Sequence, residues 1–257
     1  DDITYVIFNL ENKYFKNKKV RQAMSLAYDQ KTAIKLLYAG LGKPAQGPIP
    51  PSLEGYDSDF KNPYKQYNLK KAKRLLRAAG HPNGKGLPEF KYPLTSTSTT
   101  ERQSADFFKQ NMAQIGVKIR LVPNTWPQFS EKIRTKQAEI FGMAWNADYP
   151  DAQNFLQLFY GPNGAPGPNT SNFKNKKFDA LYKKALNLPP SDERTKLYKQ
   201  MQNLLVEETP WIFNIHRLRV IMSYNWLKNY KHSFLAFDTM KYYRIDSQQR
   251  ARLKRAL

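Results

Sequence analysis

A mixed α/β lobe is the fold class this sequence predicts, and three observations carry it. Apolar strand-like runs alternate with helical segments through the middle of the chain. Several helical segments gather their apolar residues on one stripe, as helices packed against a sheet do. At 257 residues, with 40% hydrophobic and 14% aromatic residues, the chain can bury a substantial core, as one large domain or as two unequal lobes.

Taken in order, Thr4 to Leu10 reads as a strand entered in mid-fold, which suggests a fragment whose preceding portion held any export signal. Val20 to Gly40 reads as one long amphipathic helix with Val20, Ala23, Met24, Ala27, Ile34 and Leu37 inward and Gly40 at its C-terminal end. Gly42 to Pro63 holds five of the seventeen prolines and reads as an ordered surface loop. Asn68 to Gly80 is a basic helix with Leu69, Ala72, Leu75, Leu76 and Ala79 on one face.

Glu89 to Ser96, Thr99 to Gly116 and Val117 to Val122 form a strand, helix, strand unit, with Phe107, Phe108, Met112 and Ile115 inward. A helix from Trp126 to Lys136 and an apolar strand from Ala138 to Trp145 extend the alternation. Asp151 to Tyr160 is a short helix, and Gly161 to Asn169 is too rich in Gly and Pro to be anything but loop. Two helices follow, Lys176 to Asn187 and Ser191 to Glu208, the second capped by Ser191 with Arg194 and Lys196 outward. Trp211 to Tyr224 reads as one or two strands, and no fixed-period repeat is present.

The formal charge of +21 invites a nucleic-acid or lipid partner. Its distribution over solvated helix faces, without a zinc-finger, helix-turn-helix or RNA-binding signature, argues against nucleic acid. The Lys241 to Leu257 stretch, with six basic residues and one acid, leaves weak contact with anionic lipid open. Zero cysteines exclude disulfides and thiolate metal sites. His81, His216 and His232 lack metal-ligand spacing, and no Gly-x-Ser-x-Gly or phosphate-binding glycine loop occurs, so neither enzyme activity nor a cofactor is implied.

One ordered set of segments goes further. It comprises Phe8-Asn9-Leu10, Val20-Arg21-Gln22-Ala23, Ala27-Tyr28-Asp29, Gly40-Leu41-Gly42 with Pro48 to Pro51, and Ala72 to Gly80. Ile115-Gly116-Val117, Trp145 to Asp151 and Phe178-Asp179 complete it. Across about the first 215 residues this set resembles extracellular solute-binding protein family 5, the oligopeptide-, dipeptide- and nickel-binding receptors of ABC importers, in its C-terminal portion.

The resemblance implies the C-terminal lobe of a periplasmic-binding-protein-like, two-lobe clamshell, with a mixed sheet flanked by helices. Residues 1–10 would be a strand of the first lobe, 11–208 the ligand-binding lobe and 209–257 the return segment and tail. Hinges would lie near Glu11 to Lys16 and Thr209 to Ile215. The implied partners are a peptide or other small solute and an ABC permease in the inner membrane. The receptor would be a monomer, periplasmic or lipid-anchored at the outer face of the cytoplasmic membrane. A sugar or metal chelate as solute, or a basic protein that meets lipid or nucleic acid, stands as the alternative.

For the site, the resemblance points at Trp145 to Tyr149, where an apolar strand gives way to loop. In peptide-binding members an acidic residue at the position of Asp148 pairs with the ligand's α-amino group. The competing reading is that Asp148 caps the helix beginning near Asp151. Trp145 is either an apolar wall beside that amine or core, and Tyr149 a second wall. Arg102, after the Thr95 to Thr100 polar run, either meets a ligand carboxylate or is solvated.

Overall fold

The computed structural model describes residues 2–218, 220–231 and 238–254. The chain divides into two compact units, residues 1–218 and 219–257. In the first, the order is β1 (Asp2–Phe8), α1 (Lys18–Ala27), α2 (Gln30–Leu37), β2 (Gly42–Pro44), α3 (Leu69–Ala78), β3 (Phe90–Pro93), α4 (Thr99–Ala113) and β4 (Ile119–Val122). It continues with α5 (Trp126–Arg134), β5 (Ile140–Asn146), α6 (Gln153–Leu156), α7 (Lys176–Leu186), α8 (Asp192–Glu208) and β6 (Trp211–Arg217).

The main sheet runs β2-β6-β1-β5, and every neighbouring pair is antiparallel. β1 is buried at all seven residues because it has a core on each face. Ile3, Tyr5 and Ile7 enter one hydrophobic cluster, which also holds Phe141, Trp211 and Phe213, while Val6 and Phe8 enter a second with Ile140 and Ile212. That period of two is what a strand must show, and apolar residues at both phases mark it as an inner layer. The Tyr5 and Trp211 rings stack across the sheet with centroids 3.6 Å apart. Each such side chain, fully buried, contributes roughly 1.5–3 kcal/mol. β1 and β6, which the resemblance relates to another lobe, are therefore the two inner strands of this sheet.

The expected strand, helix, strand unit is present as β3 and β4, paired in parallel, with α4 between them in sequence. Phe108, Met112 and Ile115 are buried and Phe107 packs against them. Gly116 ends this helix at φ +80, where a Cβ would lie 2.0 Å from the Asn83 carbonyl oxygen, so only glycine fits. On α3 the predicted apolar face is the buried one: Ala72 and Leu76 are enclosed, with Leu69, Leu75 and Ala79 packed beside them.

Four expectations need correction. The single helix over Val20 to Gly40 is two, because Asp29 caps a fresh start: its carboxylate accepts from Thr32 N at 3.1 Å and Thr32 Oγ1 at 2.7 Å, while Asn111 Oδ1 takes its backbone N–H at 2.8 Å. The helix expected from Asp151 is α helix only over α6 and then a 3₁₀ turn to Phe159. Arg194 does not point outward; it is 8% exposed and its Nη1 meets Asp151 Oδ2 at 2.7 Å. The strand expected to reach Tyr224 stops at Arg217, where its partners end, since Gly42 of β2 faces Arg217 and Asp2 begins β1.

The second unit holds β7 (Leu227–Lys228) paired antiparallel with β8 (Arg244–Ile245), then α9 (Ser247–Lys254). Tyr224 stacks on Trp226 at 5.0 Å. His232 and the last three residues of the basic Lys241 to Leu257 stretch lie outside the described residues.

Candidate functional site

β5 is an edge strand: it pairs with β1 on one side and, among the described residues, with no strand on the other. Its last residues carry the Trp145 to Tyr149 stretch out of the sheet and onto the start of α6. What fixes that exit is Asn154, fully buried on α6. Its Oδ1 accepts the Trp145 indole N–H at 2.8 Å and the Asp148 backbone N–H at 3.2 Å, and its Nδ2 donates to Asp148 Oδ2 at 2.9 Å. One amide thus uses both ends to hold a ring and a carboxylate.

Asp148 itself is exposed. Among the described residues it forms no ion pair, and its Oδ1 accepts no hydrogen bond. The helix-capping alternative is not realised, because the oxygen that receives the Gln153 backbone N–H, at 2.8 Å, is Asp151 Oδ1. Asp151 also accepts from Tyr198 Oη at 2.9 Å and pairs with Arg194, so its carboxylate is fully committed to the fold. Trp145 is half-buried against the core cluster, with its N–H satisfied by Asn154. Tyr149 is 41% exposed, and its hydroxyl donates to Gln153, which in turn donates to Tyr182. Arg102 stands apart, its side chain 75% exposed and facing Asp106 of the same helix at 3.9 Å.

A cavity of about 580 Å³ opens beside the same strands, within the size range of small-molecule sites. Thr4 to Val6 of β1 and Gly142 to Ala144 of β5 form part of its wall; Tyr28, Tyr38, Tyr92 and Trp126 bring rings to it. The polar run from Thr95 to Ser104 adds hydroxyls and Glu101, and β6 adds Asn214 and Arg217. None of Arg102, Trp145, Asp148 and Tyr149 lines it. No local pattern in the sequence marks Asn154, Glu101 or Asn214; the one legible signal is the Thr95 to Thr100 run, beside which Glu101, and not Arg102, lines the cavity.

Burial raises the hydroxyls of Tyr28, Tyr38 and Tyr92, with Glu101 adding to the rise at Tyr38 and Tyr92, so all three stay neutral donors and acceptors. Arg217 is already neutralised: its Nε and Nη2 each lie 2.6 Å from Asp2 Oδ2.

Comparison with known proteins places these features in context. The profile described as bacterial extracellular solute-binding proteins, family 5 Middle, matches residues 1–167. Heme-binding protein A of Haemophilus influenzae is 32% identical over 250 residues, covering 96% of this chain and 45% of that protein. The glutathione-binding protein GsiB of Salmonella typhimurium is 34% identical over 217 residues, covering 81% of this chain and 41% of its own. Among solved structures, the periplasmic binding protein DppA of Helicobacter pylori in complex with peptide STSA superposes with a TM-score of 0.84 at 28% identity, over 95% of this chain and 47% of that one. The chain therefore spans less than half the length of each of these proteins.

Proposed function

The chain belongs to the bacterial extracellular solute-binding proteins, family 5, and from that premise we propose that it supplies one wall of an interlobe cleft in which the receptor of an ABC importer binds a peptide for uptake. The observation that carries the reading is the outer edge of β5, which no strand among the described residues pairs with and which ends just before Asp148. An extended peptide laid on that edge continues the sheet through main-chain hydrogen bonds, which reads backbone without reading sequence. Its α-amino group then meets the open oxygen of Asp148, a charge-assisted hydrogen bond that demands a cation. Trp145, steadied by Asn154, and Tyr149 flank the amine.

In this reading residues 11–208 are the C-terminal ligand-binding lobe, and residues 1–10 and 209–257 are kept as the path of the chain to and from a hinge. Closure of such a cleft excludes water from the solute and presents the closed form to the permease. The receptor acts as a non-enzymatic monomer, periplasmic or lipid-anchored; among the described residues no helix is long and apolar enough to cross a membrane. Relatives named for glutathione and for heme use the same scaffold, so solute identity rests on the site and not on the fold.

Native mass spectrometry of the full-length protein from its expressing cells tests this. A ladder of co-purified peptide masses is the expected result. One non-peptide mass would replace the peptide with another solute, and an empty protein that also ignores a peptide library would overturn the receptor reading.

A further inference from the structure

The cavity between β1, β5 and α4 is not used by the main-chain reading of the β5 edge, and its chemistry is one-sided. Two charged side chains line it, Glu101 and Arg217. Arg217 is cancelled by Asp2 at 2.6 Å. Among the described residues no cation pairs with Glu101, whose Oε1 accepts only the Thr95 backbone N–H at 3.1 Å. In a chain of formal charge +21, this wall keeps a carboxylate free of its many lysines and arginines.

A second observation is independent of that charge. Asn214, 8% exposed, lines the same cavity, and its Oδ1 has no hydrogen-bond partner among the described residues. An orphaned buried acceptor costs free energy, and because Oδ1 itself is closed to solvent, a donor in the cavity relieves that cost once the Asn214 amide turns toward it. Rings from Tyr28, Tyr92 and Trp126 stand around it, and their faces attract cations.

We propose that this cavity is a subsite for a cationic nitrogen group of the solute, a guanidinium or an ammonium, with Glu101 as its counter-charge and Asn214 Oδ1 as a neutral acceptor. A carboxylate or phosphate there would face Glu101 and leave the Asn214 oxygen unmatched, whereas a guanidinium presents donors to both. The inference rests on the solute-receptor reading, and it assigns the solute a basic side chain placed beside the β5 edge.

Calorimetric titration of the full-length protein with three tripeptides, Ala-Arg-Ala, Ala-norleucine-Ala and Ala-Glu-Ala, tests it, with agmatine as a cation that carries no peptide backbone. Wild type should bind the arginine peptide roughly tenfold more tightly than the norleucine peptide, and the glutamate peptide least well. Glu101→Gln keeps a carbonyl oxygen for the Thr95 N–H and removes only the charge, and it should bring the arginine and norleucine peptides to near parity. Equal affinities in wild type, or a preference for arginine that survives Glu101→Gln, would overturn the subsite. If no tripeptide binds, the peptide reading fails by itself, and agmatine decides the cavity: binding that is lost in Glu101→Gln upholds it, and no binding overturns it.

Discussion

Asn154 Nδ2 donates to Asp148 Oδ2 at 2.9 Å, and the same amide's Oδ1 accepts the Trp145 indole N–H at 2.8 Å. A fully buried side chain therefore sets the direction of an exposed carboxylate. Asn154→Leu keeps the volume and removes all three hydrogen bonds of the side chain, the third being from the Asp148 backbone N–H to Oδ1. It leaves the half-buried indole N–H and the Asp148 backbone N–H without their acceptor, so urea unfolding should report a loss of about 1–3 kcal/mol. Peptide affinity should fall as well, because the carboxylate is no longer held toward the β5 edge. Unchanged affinity in a folded Asn154→Leu protein would mean that Asp148 needs no positioning.

Asp148 makes the sharper test. If it receives an α-amino group inside a closed cleft, Asp148→Ala deletes one partner of a desolvated charge pair and should cost about 2–5 kcal/mol of binding. The same variant should bind N-acetylated peptides as wild type does, since they bring no cation to the site. Titration of both peptide forms against both proteins separates anchoring from a general disturbance of the edge. Equal affinity of Asp148→Ala and wild type for free-amine peptides would remove the anchor and leave the edge reading standing.

How far the sequence could be read depended on the range of the interaction involved. α3 and α4 were legible because their apolar stripes repeat within a few residues, and those stripes are the buried faces. The break between α1 and α2 was not, since apolar periodicity continues through Asp29 and only its cap and the remote Asn111 reveal the restart. Arg194 looked solvated on a polar helix because its partner, Asp151, is 43 residues away in the sequence and has no periodic signature. The Trp145 to Asp148 stretch was found by resemblance, yet the residue that organises it, Asn154, is unremarkable as a letter. The cavity is assembled from at least five separated segments, and no local pattern announces such a site.

Lys65 is buried at 4% exposure, its Nζ has no hydrogen-bond partner among the described residues, and it lies 5.1 Å from the centre of the Tyr28 ring. Burial lowers its pKa from 10.5 to about 7. Between those values the unfolded chain holds a proton that the folded chain does not, so stability rises with pH across that window. The full penalty is present at and below neutral pH, roughly 5 kcal/mol at ~1.4 kcal/mol per pH unit. The ring contact offsets ~1–2 kcal/mol of it. Lys65→Met should therefore stabilise the protein at pH 7 by about 3 kcal/mol, and the gain should shrink toward pH 10. A variant that melts no higher than wild type at pH 7 would refute this account of the lysine.

His216 has the same sign and a different window. Its Nδ1 lies 2.9 Å from the Asp2 carbonyl oxygen, which only accepts, so Nδ1 carries the proton in the neutral ring. Nε2 is buried without a partner among the described residues, and burial lowers the pKa from 6.5 to about 4. Protonation must therefore place a charge beside the edge of Tyr56, whose ring centroid is 6.3 Å away, with no acceptor waiting for the new N–H. As pH falls from 6.5 toward 4 the unfolded chain takes up a proton that the folded chain refuses, and stability drops by about 2 kcal/mol between pH 7 and pH 5. Urea unfolding at those two values should find that drop in wild type and find it missing in His216→Gln, which retains an amide donor for the Asp2 carbonyl and cannot titrate. An equal drop in both proteins would assign the acid sensitivity to other groups. If the variant alone is insensitive, the strand pairing of β1 with β6 is held by a histidine that must stay neutral.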